Sequence, residues 1–279
     1  MCSSVTNVFE IGKYATQLQT VDSCSYKQYA PPPKSLLIAT PIEASHGFIV
    51  IAPQLYTVAG PDISDEIYSV AAITNWLSEG LCKILPPNIE PNFHKLALSG
   101  HSRGGKTSFA IALRKQNITT DLKFSAIIGV DPVDGMDIGK QTSPPILTYV
   151  PHSFDFDMAT LVIGSGLGDV KRNSLFPPCA PKGVNHENFF NECDKPCWYF
   201  VAKDYGHVDM LDDDTRGVRG KASYCLCKNG ESRKPMRMFV GGVMVAFLKA
   251  YLNGDNGYLL AIRDKKVSVP VEMKFDHYV

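Results

Sequence analysis

Short apolar runs rich in β-branched residues recur along the chain, separated by stretches with helical spacing. Six of them read as strands: Leu36–Thr40, Phe48–Ala52, Leu96–Ser99, Ala126–Val130, Thr160–Ile163 and Trp198–Ala202. Between the second and third, Ser64–Leu81 sets Ile67, Val70, Ala71, Thr74 and Leu77 on one face, with Asp62 and Ser64 as caps. Another helix follows Gly104, with Phe109, Ile111, Ala112 and Leu113 as its apolar members. The most apolar stretch, Phe239–Leu252, predicts a buried final helix closed by Asn253-Gly254. Strands alternating with helices predict an α/β fold, a mostly parallel sheet flanked by helices. One connection does not fit. Only Pro41–Gly47 separates the first two strands, whereas parallel neighbours need a crossover of about a dozen residues. These strands must be antiparallel, or a segment between them is missing.

A chain of 279 residues, 44% of them hydrophobic, can bury a full core and fits one domain over residues 1–279. The 28 basic and 28 acidic residues cancel, which argues against a nucleic-acid partner. Met1–Thr20 contains no Arg and carries Glu10, a poor match to a transit peptide. Phe239–Leu252 is interrupted by Lys249 and is too short to span a bilayer, so no transmembrane segment is expected. Eight cysteines include Cys193-x3-Cys197 and Cys225-x-Cys227, with Cys179 nearby. Their spacing is wrong for zinc knuckles, so no metal is expected; thiols or one or two disulfides remain open.

The chemistry is carried by Leu96–Leu113, LALSGHSRGGKTSFAIAL, which supports two readings. Gly100-His101-Ser102-Arg103-Gly104 matches G-x-S-x-G, a sharp turn between strand and helix that holds a nucleophilic serine at its tip. The backbone N–H of Arg103, at the helix N-terminus, would then serve the oxyanion hole. The same stretch satisfies a phosphate loop, Gly100-x4-Gly105-Lys106-Thr107, with Asp131 as a magnesium-holding aspartate. Two features favour the esterase. Three strands precede the motif, where a phosphate loop usually follows the first, and an acid and a late histidine follow in the order Ser, Asp, His.

His207 follows the Trp198–Ala202 strand directly, where such a fold presents its base, whereas His46, His94, His101, His152, His186 and His277 lack that context. For the acid, Asp131 ends a strand beside the turn formers Pro132 and Gly135 and is preferred to Asp169 at the end of the next strand. Asp155 and Asp157 are outsiders, and Asp209 with Asp212–Asp214 reads as a solvated face. Ser102, Asp131 and His207 would act as nucleophile, acid and base without a cofactor.

The stretches GHSRGGKT, VDPVDG, YGHVDMLDDD, PPCAP and RMFVGGVMVAFLK closely resemble plant chlorophyllases, as do TPIEA, SHGFIVIAPQLYTVAGPDISDEI and AITNWLSEGL. The resemblance runs over essentially the whole chain. It implies an α/β-hydrolase fold and hydrolysis of the phytyl ester of chlorophyll to chlorophyllide and phytol, in the chloroplast or the cytosol, with peripheral membrane contact. It puts the family's serine, acid and histidine on Ser102, Asp131 and His207, and makes Lys106 and Thr107 structural. The chain departs from the family between Ala44 and Ser45, where chlorophyllases carry a buried strand, a His-Gly loop and a helix. That loop supplies the second oxyanion N–H in this fold, so the resemblance implies a chain lacking one central strand and impaired in activity.

Overall fold

In a computed structural model, the structure describes residues 7–10, 16–24, 30–41, 46–58, 60–213 and 224–278. The Ala44–Ser45 junction and Asp214 lie outside them. Two sheets form rather than one. The first is antiparallel in the order β1-β2-β3, from Thr16–Val21, Leu36–Pro41 and Val50–Pro53. Leu36 faces Pro53 and Ala39 faces Val50, so the short connection closes an antiparallel pair, as its length requires.

The second sheet has the order β4-β5-β6-β7-β8, from Leu96–His101, Phe124–Val130, Ala159–Ser165, Cys197–Ala202 and Met273–Tyr278. Its first four strands are parallel and β8 runs antiparallel to β7. This is a mixed, mostly parallel sheet flanked by helices, an α/β fold. Each of the six predicted strands is present in one sheet or the other, with ends moved by at most two residues. β1 and β8 were not anticipated.

The period-2 alternation of β5 and β6 sorts side chains to two layers. Ala126, Ile128, Val130, Leu161 and Ile163 pack on one face with Phe239, Val243 and Phe247 of a long helix. Ile127 and Val162 pack on the other, with Phe109, Phe189 and Phe190. Those helices are α1 (Ser64–Gly80), α2 (Arg103–Ala112), α3 (His186–Glu192) and α4 (Arg233–Asn253). The expected caps shift slightly on α1: Ile63 is its N-cap, and the Asp62 carboxylate accepts from Ser64 N–H at 2.6 Å. α4 extends beyond the apolar stretch in both directions and, by length and composition alone, could cross a membrane. It instead buries Phe239, Val240, Val243, Ala246 and Phe247 in the core, and left-handed Gly254 closes it. It is not the last helix, because α5 (Gly257–Arg263) follows.

The small sheet has its own core. Val21, Leu36 and Ile38 pack with Ile73, Leu77 and Leu81 from α1 and its continuation. No pairing joins β3 to β4, so each is an edge strand within the described residues.

Candidate active site

Parallel strands leave their carboxyl ends on one rim, and three of them deliver the site. β4 ends at His101 and α2 begins at Arg103, which leaves Ser102 on the bend between them. Its backbone is at φ 55°, ψ −118°, a strained region for a side-chain-bearing residue. Ser102 N–H donates to Val130 O at 2.9 Å and its carbonyl accepts from Lys106 N–H at 3.1 Å, which fixes the bend. Gly100 is sterically required, since a Cβ there would lie 2.1 Å from the Gly104 backbone. Gly104 is different: a Cβ on it would meet nothing within 4 Å. The tight packing after the serine falls on Gly105, whose added Cβ would approach Gly100 O to 2.9 Å.

Ser102 Oγ lies 2.8 Å from His207 Nε2, and His207 Nδ1 lies 2.8 Å from Asp131 Oδ2. With Nδ1–H donating to the carboxylate, Nε2 is left as the acceptor for the serine hydroxyl. Asp131 is fully buried and itself sits at φ 44°. Burial works against its charge, yet the hydrogen bond and charge of His207, the neighbouring His186 and the Ser165 hydroxyl outweigh that cost and lower its pKa to about 2. Ser165 N–H and Oγ–H both donate to this carboxylate. Asp169, Asp155 and Asp157 are all exposed, and none of them contacts His207 in the way Asp131 does.

The alternative phosphate-loop residues are otherwise engaged. Lys106 is fully buried and pairs with Asp134 at 2.9 Å. It also donates to Thr142 Oγ1 at 2.7 Å. Thr107 Oγ1 donates to Arg103 O at 3.0 Å, within its own helix. Asp131, the residue that reading assigned to magnesium, is turned to His207.

Arg103 has two separate parts. Its amide stands at the start of α2, where no intrahelical acceptor exists and the dipole favours negative charge. Its guanidinium instead clamps the segment before α1. It reaches Glu66 Oε1 at 2.6 Å, Gly60 O at 2.6 Å and Asp62 O.

One neighbour contradicts the sequence reading, and two histidines make contacts it did not name. Asp209 is buried rather than solvated: its Oδ2 accepts from Gly206 and Gly230 N–H, both at 2.7 Å, and so pins the turn carrying His207. His186 is buried beside Asp131, with Nε2 3.8 Å from Oδ1, and its Nδ1 is 2.7 Å from Tyr199 Oη. His101 lies 4.7 Å from the His207 ring, centroid to centroid. Spacing gave no signal for these contacts, which exist only once distant strands align.

The Cys225-x-Cys227 and Cys193-x3-Cys197 spacings do not form pairs; Cys179 is bonded to Cys227. A cleft of about 620 Å³ opens beside the serine bend, lined by Pro53–Thr57, His101, Gly104 and Thr107.

A family model described as chlorophyllase matches residues 42–279. The chain is 55% identical to "Chlorophyllase-2" of Arabidopsis thaliana over 309 aligned positions, covering 98% of this chain and 97% of that protein. It is 47% identical to "Chlorophyllase-1" of Arabidopsis thaliana over 228 positions, covering 81% and 70%. It is 40% identical to "Chlorophyllase-1, chloroplastic" of Citrus unshiu over 310 positions, covering 100% and 91%. This chain belongs to the chlorophyllase family, whose fold is that of the α/β-hydrolases.

Proposed function

We propose that this chain is a serine carboxylic-ester hydrolase that cleaves the phytyl ester of chlorophyll, giving chlorophyllide and phytol. The observation that carries the reading is the unbroken relay of two 2.8 Å contacts from Ser102 through His207 to Asp131. His207 Nε2 takes the hydroxyl proton as Ser102 Oγ attacks the ester carbonyl. Asp131 keeps the imidazole in the tautomer with hydrogen on Nδ1 and stabilises the imidazolium. The imidazolium returns the proton to the departing phytol oxygen. Water, deprotonated by the same nitrogen, then releases chlorophyllide from the acyl-enzyme. The amide of Arg103 donates to the oxyanion. No step calls on a cofactor.

The cleft beside the bend falls within the usual range of about 300–1,000 Å³ for small-molecule sites and would seat the ester end of the pigment. Leu175, Phe176 and Leu226 are exposed on segments near the disulfide, a surface suited to peripheral contact with a pigment-bearing membrane. The Citrus relatives are named chloroplastic, and the same compartment is assigned here in preference to the cytosol. With the Arg103 N–H acting alone on the oxyanion, turnover should run about 10²–10³-fold below a relative that uses two donors. Chromatographic measurement of chlorophyllide from chlorophyll tests the reading. Ser102→Ala should abolish release, and Asp131→Asn should lower it by about 10⁴-fold. Release that persists in Ser102→Ala would contradict it.

A further inference from the structure

Two edge strands of different sheets face the same cavity. β3 ends the first sheet and β4 begins the second. The space of about 490 Å³ between them is lined by Phe48–Pro53 from one side and Leu96–Ser99 from the other. Its remaining walls are mostly apolar, with Val70, Ile73 and Leu77 of α1 and Met244, Leu248 and Leu252 of α4, and carry Thr74, Thr107 and Ser108 among them. A lipid would suit those walls but not the edges. An edge strand presents a row of backbone N–H and C=O groups that pair only with another backbone.

The volume agrees with that chemistry. A rise of 3.3 Å, an interstrand spacing of 4.8 Å and a layer spacing of 10 Å give about 160 Å³ per strand residue. The cavity therefore holds about three strand residues, close to the length of the β2–β3 ladder. Gly104 borders the space with nothing near its missing Cβ, which leaves room for a backbone to approach the serine bend. The alignment with Arabidopsis chlorophyllase-2 extends over 309 positions although this chain has 279 residues. That relative carries residues with no counterpart here.

We propose that the slot between β3 and β4 is a receptor for one extended apolar strand supplied from outside this chain. Seated there, the strand would pair with both edges, join the two sheets into one and cover the apolar faces of α1 and α4. Recognition is by main-chain hydrogen bonds, with alternate side chains in the two helix layers.

Backbone amide exchange of the full chain, with and without a synthetic peptide of the chlorophyllase-2 residues that have no counterpart here, tests the inference independently of any catalysis. The expected result is saturable slowing of exchange by at least tenfold at alternate amides of Val50–Ala52 and of Leu96–His101. A peptide of the same composition with proline at two central positions should have no effect, because proline cannot donate to a ladder. Unchanged exchange with the native peptide would overturn the inference, as would equal slowing by the proline peptide. It would also be overturned by free protein already protected at both edges and sedimenting as a dimer, because a second copy would then fill the slot.

Discussion

The rings of His101 and His207 lie 4.7 Å apart, and His101 Nε2 is 2.8 Å from the carbonyl of His207. The residue before the serine thus holds the backbone of His207, with neutral His101 donating Nε2–H to that carbonyl. Burial, and then the nearness of His207, push its pKa down to about 4. The folded protein therefore favours neutral His101, whereas the unfolded chain takes up its proton near pH 6.5. Its contribution is complete above pH 6.5 and is lost as pH falls toward 4. Allowing for residual contact with water, the loss is about 2 kcal/mol. Urea denaturation at pH 7 and pH 4.5 should show wild type losing about that much more than His101→Gln.

Lys106 and Asp134 form a buried ion pair under the bend. Asp134 Oδ2 also accepts from the amides of Ile146 and Leu147 at 3.0 and 2.9 Å. Burial lowers the Lys106 pKa and the Asp134 charge opposes that shift. Lys106→Met leaves the carboxylate buried without its cation and should cost about 3–5 kcal/mol. Adding Asp134→Asn removes the orphaned charge while keeping an acceptor for both amides, and should restore roughly half of that loss. Urea midpoints of the two variants check this. ATP should not raise the melting temperature of wild type, because the lysine is committed to Asp134.

The disulfide Cys179–Cys227 closes a loop across a sequence separation of 48. That loop contains His207, and Cys227 lies next to Lys228, whose carbonyl abuts Gly206. Loop-closure entropy assigns the bond about 4 kcal/mol. Reduction by dithiothreitol should lower the melting temperature and slow turnover, both reversed on reoxidation. A Cys179→Ala variant should behave like the reduced protein and be insensitive to reductant.

How much of this was legible depended on whether the signal was local. Strands buried on both faces, such as β5 and β6, show as continuous apolar runs. β1 is TQLQTV, exposed along most of its length, and β8 is MKFDHY, an edge strand mixing charge with apolar residues; neither carries enough burial to stand out. α3 is a seven-residue helix started by the Asn185 side chain on Glu187 N–H, shorter than periodicity can register. At the site, the Ser102 bend was visible because sterics act within five residues. His207 and Asp131 were visible through their places after strands. Glu66 on Arg103, His186 beside Asp131 and Cys179 bonded to Cys227 join residues 37, 55 and 48 positions apart, where spacing carries no information. The short Pro41–Gly47 connection signalled the antiparallel pairing of β2 with β3.

The proposed chemistry requires the His207 imidazole to activate the Ser102 hydroxyl. Incubation with a fluorophosphonate, followed by tryptic mass mapping, reads this directly. One adduct is expected, on the peptide Leu96–Arg103 at Ser102, formed at least about 10²-fold more slowly in His207→Ala. No adduct on that peptide, or one formed equally fast without the imidazole, would contradict it.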